Sequence, residues 1–183
     1  MVSRLDRRRF LLRLGAFAAC PIVLRDTAYA GDDVAGAGLV AVPEPIEAPE
    51  IGLADLDGNI RHIADYRGKV VVISFWAAWC APCRREMPSL ARLNRVLPPN
   101  DFAVLAVNLG DDHDRIRDFL AQIDHDGLPI LADEHSGLAK AWNIYGLPVS
   151  YVVDRTGHIR FGVLGAREWD SPLIRGQLLA LAA

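Results

Sequence analysis

The sequence has little cysteine, no excess of positive charge and no internal repeat. Its 183 residues include three cysteines, too few for a small fold held by several disulfides or for a four-thiolate zinc site. Its 23 acidic and 20 basic side chains give a formal net charge of −3, without the basic excess that phosphate contacts require. We therefore expect no nucleic acid among its partners. With 51% hydrophobic residues, the chain is long and apolar enough to bury one substantial core.

The start of the chain has the layout of an export signal. Arginines crowd this segment, an apolar stretch covers residues 10–24, and Ala28-Tyr29-Ala30 fits a cleavage site. An arginine and a proline interrupt the apolar stretch, which is shorter than the roughly 20 residues that a spanning helix needs. Residues 7–11, Arg-Arg-Arg-Phe-Leu, resemble the twin-arginine export signal. We predict a signal peptide over residues 1–30 and a periplasmic location, with general secretion as the alternative route.

Two alternatives concern attachment to the membrane. Cys20 leaves with a cleaved signal, unless residues 17–20 serve as a lipoprotein box and this thiol carries lipid. A retained signal or a lipidated Cys20 would tether the protein to the membrane. Cleavage after Ala30 removes six of the 20 basic and two of the 23 acidic residues, which leaves a formal net charge of −7. The cleaved protein is then distinctly acidic.

A segment of low complexity follows the signal. Residues 31–48 mix glycine, alanine and proline with acidic side chains, and they show no sustained apolar periodicity. This composition is typical of a flexible tether. We predict a flexible acidic linker over residues 31–48 and one folded domain over residues 49–183.

The folded part begins with signals for β-structure. An Asp-Gly turn within residues 53–60 predicts a short hairpin near the start of the domain. Residues 69–76, Lys-Val-Val-Val-Ile-Ser-Phe-Trp, form a continuous β-branched and aromatic run that is typical of a central strand buried on both faces. Leucines and a methionine then recur at helical spacing after Cys83. The cysteine pair therefore lies where a buried strand turns into a helix.

Strands and helices continue to alternate after this helix. Residues 102–107 predict a strand, and the apolar spacing over residues 116–123 predicts a helix capped by Asp111 or Asp112. An order of strand, helix, strand and helix favours parallel pairing with right-handed crossovers. This part of the chain predicts an α/β fold.

The last third of the sequence predicts two more helices around a hairpin. Residues 138–145 have helical spacing, with Ser136 as the predicted cap. Residues 149–163 contain two apolar runs around an Asp-Arg-Thr-Gly turn, which predicts the hairpin. Ser171-Pro172 predicts the start of a terminal helix. Together, these elements predict a central mixed sheet flanked by helices.

The Cys-x-x-Cys sequence carries the chemistry. Cys80 and Cys83 are three positions apart at a helix start, close enough for a disulfide across one turn. Unpaired N–H groups and the helix dipole stabilise a thiolate on Cys80, and Arg84 and Arg85 add positive charge nearby. We expect Cys80 to be the exposed attacking thiol. Cys83, one turn deeper, would then attack Cys80 and release the substrate.

Other uses of the same thiols compete with this interpretation. A structural disulfide is a poor alternative, because closing so short a loop removes little entropy from the unfolded chain. Zinc would need two further ligands, and the five histidines are scattered without a pair at ligand spacing. We therefore predict no metal site and no cofactor. Copper carriage by two thiolates and one histidine stays open.

A resemblance to a known family becomes visible at this segment. Residues 75–88, Phe-Trp-Ala-Ala-Trp-Cys-Ala-Pro-Cys-Arg-Arg-Glu-Met-Pro, resemble the active-site segment of the thioredoxin superfamily, in its exported TlpA/ResA/DsbE-like branch. Residues 66–71, 146–148 and 154–157 also fall where that family has them, so the resemblance covers residues 49–183. It implies a thioredoxin-like fold with an N-terminal β-hairpin addition.

The resemblance also implies roles for individual residues. Cys80 corresponds to the nucleophile and Cys83 to the resolving thiol of a redox-active disulfide. Pro148 corresponds to the family's cis-proline, in a loop that faces the cysteines and, with Leu147, offers backbone groups to a bound peptide. Trp79 flanks the cysteines and would present a flat surface to partners.

Glu86 occupies the family's acidic position shortly after the cysteines. Its implied role is that of a proton carrier that helps to deprotonate Cys83, and the alternative is an ordinary solvated glutamate. The sequence departs from cytosolic thioredoxins, which have a buried aspartate on the preceding strand. Ser74 stands at that position and cannot act as a base at neutral pH. This departure shifts proton transfer toward Glu86 or water.

The sequence therefore predicts an exported thiol-disulfide oxidoreductase. No histidine or extra cation lies between the cysteines, and this absence favours a reducing role over strong oxidation. The resemblance implies reduction of client cysteines in cytochrome c maturation or oxidase copper-site assembly, with electrons from a membrane donor. The expected partners are client proteins that bear a disulfide or a dithiol. The alternatives are a copper-binding metallochaperone and a thiol peroxidase, although no threonine precedes Cys80 to frame a peroxide.

Overall fold

The structure is a computed structural model that describes residues 38–183. The predicted signal peptide over residues 1–30, Cys20 and residues 31–37 of the predicted linker lie outside the described residues. The strands are β1 (Val40–Glu47), β2 (Leu53–Ala54), β3 (Ile60–Arg61), β4 (Val70–Trp76), β5 (Phe102–Leu109), β6 (Ile130–Asp133), β7 (Val149–Val153) and β8 (His158–Leu164). The α-helices are α1 (Ala81–Val96), α2 (His113–Leu120), α3 (Leu138–Ala141) and α4 (Pro172–Ala182), with a 3₁₀ turn at Ile63–Tyr66.

Six strands form one mixed sheet in the order β1-β8-β7-β4-β5-β6. The β4-β5 and β5-β6 pairs are parallel, whereas β1-β8, β8-β7 and β7-β4 are antiparallel. Strands β2 and β3 form the separate N-terminal hairpin. The predicted mixed sheet and the hairpin addition are both confirmed.

Strand β4 lies at the centre of the core. All seven of its residues are buried, because its two faces are both covered. Val72 and Trp76 pack in the cluster that contains the apolar faces of α1, α2 and α4. On the other face, Phe75 packs against Trp142, with ring centroids 5.3 Å apart. The continuous apolar run of the sequence reflects this burial on both faces.

The linker prediction is wrong for residues 40–47. These residues form β1, which pairs antiparallel with β8 from Val40 opposite Gly162 to Glu47 opposite His158. The strand lies at the edge of the sheet and is mostly exposed, so it has no continuous apolar face. Its prolines are tolerated there because an edge strand leaves half of its N–H groups outside the ladder. An edge strand of this kind has the composition of a tether.

The prediction for residues 138–145 is wrong in length and in its cap. Helix α3 ends at Ala141, and Ser136 has a positive φ of 52° instead of the geometry of a cap. The carboxylate of Asp133 takes over the role of the cap by accepting the N–H groups of Gly137 and Leu138, at 2.9 and 2.8 Å. The chain then turns at Trp142, which is buried. Burial of this indole outweighs continuation of the helix.

The caps of α2 and α4 agree with the sequence. The Oδ1 atom of Asp112 accepts the N–H of Arg115 at 2.8 Å, which decides between the two predicted caps of α2. Ser171 caps α4 by accepting the N–H of Ile174 at 3.4 Å. Within residues 38–183, none of the helices is both long and apolar enough to cross a membrane.

Substitution of Leu90 tests the packing of α1 on the sheet. Its side chain is fully buried, so Leu90→Ala should lower the free energy of unfolding by about 2–5 kcal/mol through lost burial and the cavity left behind. Leu179→Ala is the matched control, because 48% of Leu179 is exposed, and it should cost about 0.5 kcal/mol or less. Denaturant unfolding of both variants measures the difference. Equal losses would contradict this account of the core.

Candidate active site

The two cysteines form a disulfide at the start of α1. The Cys80–Cys83 S–S distance is 2.05 Å and the Cα atoms are 5.3 Å apart. Cys80 is the N-cap residue, and its Sγ accepts the N–H of Cys83 at 3.3 Å. The first sulfur therefore takes the place of a capping oxygen, where unpaired N–H groups favour negative charge. The predicted position between a buried strand and a helix is confirmed.

The exposure of the first sulfur differs from the prediction. Cys83 is fully buried, as expected, but Cys80 is only 3% exposed. The expectation of an exposed Cys80 is therefore wrong for the disulfide form. Its Sγ is bonded to the buried sulfur of Cys83 and accepts an N–H of the helix, and both contacts turn it inward. This residue therefore presents little surface to a client in the disulfide form.

The rim of the site contains the residues that were expected to contact substrate. Trp79 is 66% exposed directly before the disulfide. The Leu147–Pro148 peptide bond is cis, as the resemblance implies. Phe75 pairs with Val149 in the β4-β7 ladder, so Pro148 lies at the end of β4 from which the cysteine loop departs. Leu147 is half-buried against both core clusters. The fold thus brings these residues to the same end of the sheet as the disulfide.

Glu86 lies one helical turn after Cys83 and is 2% exposed. The Ser74 hydroxyl donates to Oε1 at 2.9 Å, and the backbone N–H of Arg167 donates to Oε2 at 3.1 Å. Burial raises the pKa of Glu86 from 4.5 to about 7, and the two hydrogen bonds oppose part of that rise. The alternative of a solvated glutamate is wrong. This carboxyl can gain or lose a proton near neutral pH.

Asp111 is a residue of the site that sequence reasoning missed, because it was considered only as a helix cap. It is 4% exposed, and its Oδ2 accepts the Ala78 N–H at 2.6 Å and the Asn108 Nδ2 at 2.9 Å. Arg115 pairs with Oδ1 at 2.9 Å. Asp111 therefore ties the end of β5 to the loop that carries Trp79 and Cys80. The only signal in the sequence is an Asn-x-x-Asp spacing at the end of a strand.

The two arginines after the disulfide differ in their surroundings. The guanidinium of Arg84 lies over the Phe119 ring, 4.6 Å from its centroid, and donates to Gln122 at 3.3 Å. Arg85 is exposed and lines a cavity of about 190 Å³ together with Glu86 and Arg167. Residues 38–183 contain no cluster of three or more histidine, cysteine or acidic side chains arranged as metal ligands.

Comparison with known proteins places the chain in a family. Residues 46–161, more than half of the chain, match the model of the AhpC/TSA family. The chain belongs to the AhpC/TSA family. Its thioredoxin-like fold agrees with that membership: a DsbE thiol:disulfide interchange protein from Chlorobium tepidum superposes with a TM-score of 0.70 at 28% identity. The match covers 78% of this chain and 100% of that structure.

Two relatives of this chain are named for thiol-disulfide chemistry. Thiol-disulfide oxidoreductase ResA of Geobacillus kaustophilus is 34% identical over 120 residues, covering 64% of this chain and 67% of the relative. Thiol:disulfide interchange protein HelX of Rhodobacter capsulatus is 34% identical over 138 residues, covering 71% of this chain and 76% of the relative. This member of the AhpC/TSA family is a thiol-disulfide oxidoreductase.

Substitution of Asp111 tests whether its carboxylate holds the loop that carries Cys80 in place. Asp111→Ala should destabilise the fold by about 1–3 kcal/mol, because it leaves the Ala78 N–H and the Asn108 amide without their acceptor. Hydrogen exchange at the Ala78 amide should accelerate. Asp112→Ala is the control, since it removes the α2 cap and should accelerate exchange at Arg115 but not at Ala78. Unchanged protection of Ala78 in Asp111→Ala would contradict the assignment.

Proposed function

We propose that the protein is an exported reductase that converts disulfides of client proteins into dithiols through the Cys80–Cys83 couple. The observation that carries this proposal is the combination of a disulfide at the α1 N-terminus with a protonatable Glu86 one turn deeper. The first feature supports a stabilised thiolate on Cys80. The second supplies a proton acceptor beside the resolving thiol.

The reaction begins with reduced Cys80 as a thiolate. This thiolate attacks a client disulfide, forms a mixed disulfide and releases the first client sulfur as a thiolate, which takes up a proton from water. Cys83 then loses its proton and attacks Cys80. The Cys80–Cys83 disulfide forms and the second client sulfur leaves, so two electrons pass from the enzyme to the client. A membrane dithiol donor returns the enzyme to its reduced form.

Glu86 is the proposed proton acceptor for Cys83. The two residues are three positions apart on α1 and both are buried, which places them on the same helical face. A carboxyl with a pKa of about 7 exists in both protonation states at neutral pH. Ser74 donates a hydrogen bond to this carboxyl instead of acting as a base. The proton of Cys83 therefore moves to Glu86 on α1, and not to a residue on β4.

The reductive direction rests on the residues between the cysteines. Ala81 and Pro82 provide neither a charge nor a side-chain donor that would stabilise the reduced form strongly, and strong oxidants depend on that stabilisation. The resemblance of residues 75–88 to the TlpA/ResA/DsbE-like branch supports clients of cytochrome c maturation or oxidase copper-site assembly.

The proposed location is the periplasm. Its support is the signal-peptide layout of residues 1–30, with the twin-arginine-like sequence at residues 7–11 and the cleavage site at Ala28-Tyr29-Ala30. Tethering through a retained signal or a lipidated Cys20 is compatible with the same function. Either arrangement places the domain where a membrane donor can reduce it.

A trapping experiment tests the proposed exchange and its direction. Cys83→Ser should leave clients attached to Cys80 as mixed disulfides, because the resolving thiol is gone. Adducts isolated from the periplasmic fraction and identified by mass spectrometry are the expected result, and Cys80→Ser is the control that should yield none. The absence of adducts from Cys83→Ser would overturn the proposal. Cells that lack the protein should contain the same clients with oxidised cysteines, and reduced cysteines there would contradict the reductive direction.

Replacement of Glu86 tests the proton acceptor. Reduced protein reacts with 4,4′-dithiodipyridine in two phases, the attack of Cys80 and then the resolution by Cys83. Glu86→Gln should slow the second phase at pH 7 by about 10²-fold and leave the first nearly unchanged, because only resolution needs the carboxylate. Glu134→Gln, at an exposed position, is the control. A second phase of wild-type speed in Glu86→Gln would remove Glu86 from the reaction.

The same variant has a signature in stability. The pKa of Glu86 is higher in the folded chain than its ordinary value of 4.5, so the unfolded chain loses this proton first as the pH rises. The folded state therefore loses stability between pH 4.5 and about 7 through this group. Glu86→Gln should remove that component, as measured by denaturant unfolding across this pH range.

A further inference from the structure

Arg167 is a buried arginine that the reaction described above does not use. It lies in the segment between β8 and α4 and is 6% exposed, the only buried basic side chain of residues 38–183. Its Nη1 donates only to the carbonyls of Gly165 and Ala166, at 3.4 and 3.0 Å, and its Nε has no partner. None of the ion pairs of the described residues includes it.

A buried guanidinium with so few partners requires an opposite charge nearby. Glu86 is the buried carboxyl that this segment contacts. The backbone N–H of Arg167 donates to its Oε2 at 3.1 Å, and both side chains line the same cavity of about 190 Å³. The two side chains therefore line one small cavity, although they are not within ion-pair distance of each other.

The segment that carries Arg167 is fixed to α1. The Ser89 hydroxyl accepts the Trp169 N–H at 3.0 Å, and its single hydrogen lies between the Glu86 carbonyl at 2.7 Å and the Arg167 carbonyl at 3.2 Å. Arg92 binds Asp170 at 2.6 Å and also pairs with Glu168. These contacts hold the backbone of this segment against the helix that carries Cys83 and Glu86. A side chain carried by a fixed segment is positioned before the reaction begins.

From this geometry we infer that Arg167 is a positioning residue of the dithiol reaction, the counter-charge that allows Glu86 to give up and regain its proton at neutral pH. The inference rests on the proposed role of Glu86. Arg167 does not touch the reacting sulfurs in this account. It acts through the carboxyl, by favouring the ionised form that receives the proton of Cys83.

The other groups around Glu86 do not replace this charge. Ser74 on β4 contributes a neutral hydrogen bond, and Cys83 on α1 is the proton donor. Arg85 on α1 is exposed, so solvent screens its charge. Glu168, from the same segment as Arg167, is paired with Arg92. Burial raises the pKa of Glu86, and hydrogen bonding from Ser74, from the Arg167 backbone N–H and from the Trp169 side chain lowers it; the positive charge of Arg167 lowers it further, by less than these hydrogen bonds.

The pH dependence of resolution tests this inference. Arg167→Met keeps an apolar side chain in place and removes the charge, so protonated Glu86 should persist to higher pH. The midpoint of the second 4,4′-dithiodipyridine phase should move upward by about one pH unit, and the rate at pH 7 should fall by up to about tenfold. Arg167→Lys should stay close to wild type, because it keeps the cation. Arg175→Met, at an exposed position on α4, is the control for loss of an arginine.

A double substitution separates this effect from a structural one. In a Glu86→Gln background, Arg167→Met should change nothing further, because the group through which Arg167 acts has gone. An upward shift that persists in that background, or an unchanged midpoint in Arg167→Met, overturns the inference. Arg167→Gln provides a second charge-free variant for comparison with Arg167→Lys if the methionine variant does not fold. If Glu86→Gln itself resolves at wild-type speed, the proposed role of Glu86 fails instead.

Discussion

The site depends on the burial of one carboxyl between α1, β4 and the segment after β8. Glu86 would be an ordinary acid in water, but the surrounding core removes it from solvent and makes its charged form costly. Hydrogen bonds from the Ser74 hydroxyl and the Arg167 backbone N–H offset part of the cost of charging this carboxyl. The balance leaves the carboxyl able to change protonation at the pH where thiols exchange. Helix α1 is then more than a support for the cysteines, because it also carries the carboxyl proposed to accept the proton of Cys83.

The same helix separates the properties of its two sulfurs. Cys80 occupies the cap, where its Sγ accepts the Cys83 N–H at the positive end of the helix dipole, an environment that favours a thiolate. Cys83 lies inside the first turn and is fully buried. One local geometry thus gives the two sulfurs different surroundings, which suits the proposed roles of Cys80 in attack and Cys83 in resolution. Asp111 fixes the loop before Cys80 from the neighbouring strand, so this difference is held by tertiary contacts as well as by the helix.

How much of this structure the sequence predicts depends on how far apart along the chain the interacting residues lie. The strand over residues 69–76, the helix start at the cysteines and the Ser171 cap are determined by neighbours along the chain, and the structure confirms them. The edge strand β1 was not predicted, because its pairing with β8 lies more than 100 residues away and its own composition is that of a tether. Asp111 and Arg167 were missed for a similar reason, because Ala78 and Glu86, which they contact, lie 33 and 81 positions away in the chain. Glu86 was identified as a candidate site residue through the resemblance, whereas its buried environment could be described only from the fold.

The acidic residue of this site lies on helix α1 instead of on strand β4, and this position determines which segments of the chain surround it. An acid on β4 would lie in a strand whose seven residues are all buried. Glu86 lies instead beside the segment that follows β8, and its Oε2 atom accepts a backbone N–H from that segment. The carboxyl is thereby coupled to Arg167 and to the contacts of Ser89 and Arg92 that hold the segment against α1. The proposed proton transfer at Cys83 thereby depends on a segment that lies outside the Cys-x-x-Cys sequence. Glu86 thus lies on the helix that carries the cysteines, whereas the segment after β8 contributes to its surroundings.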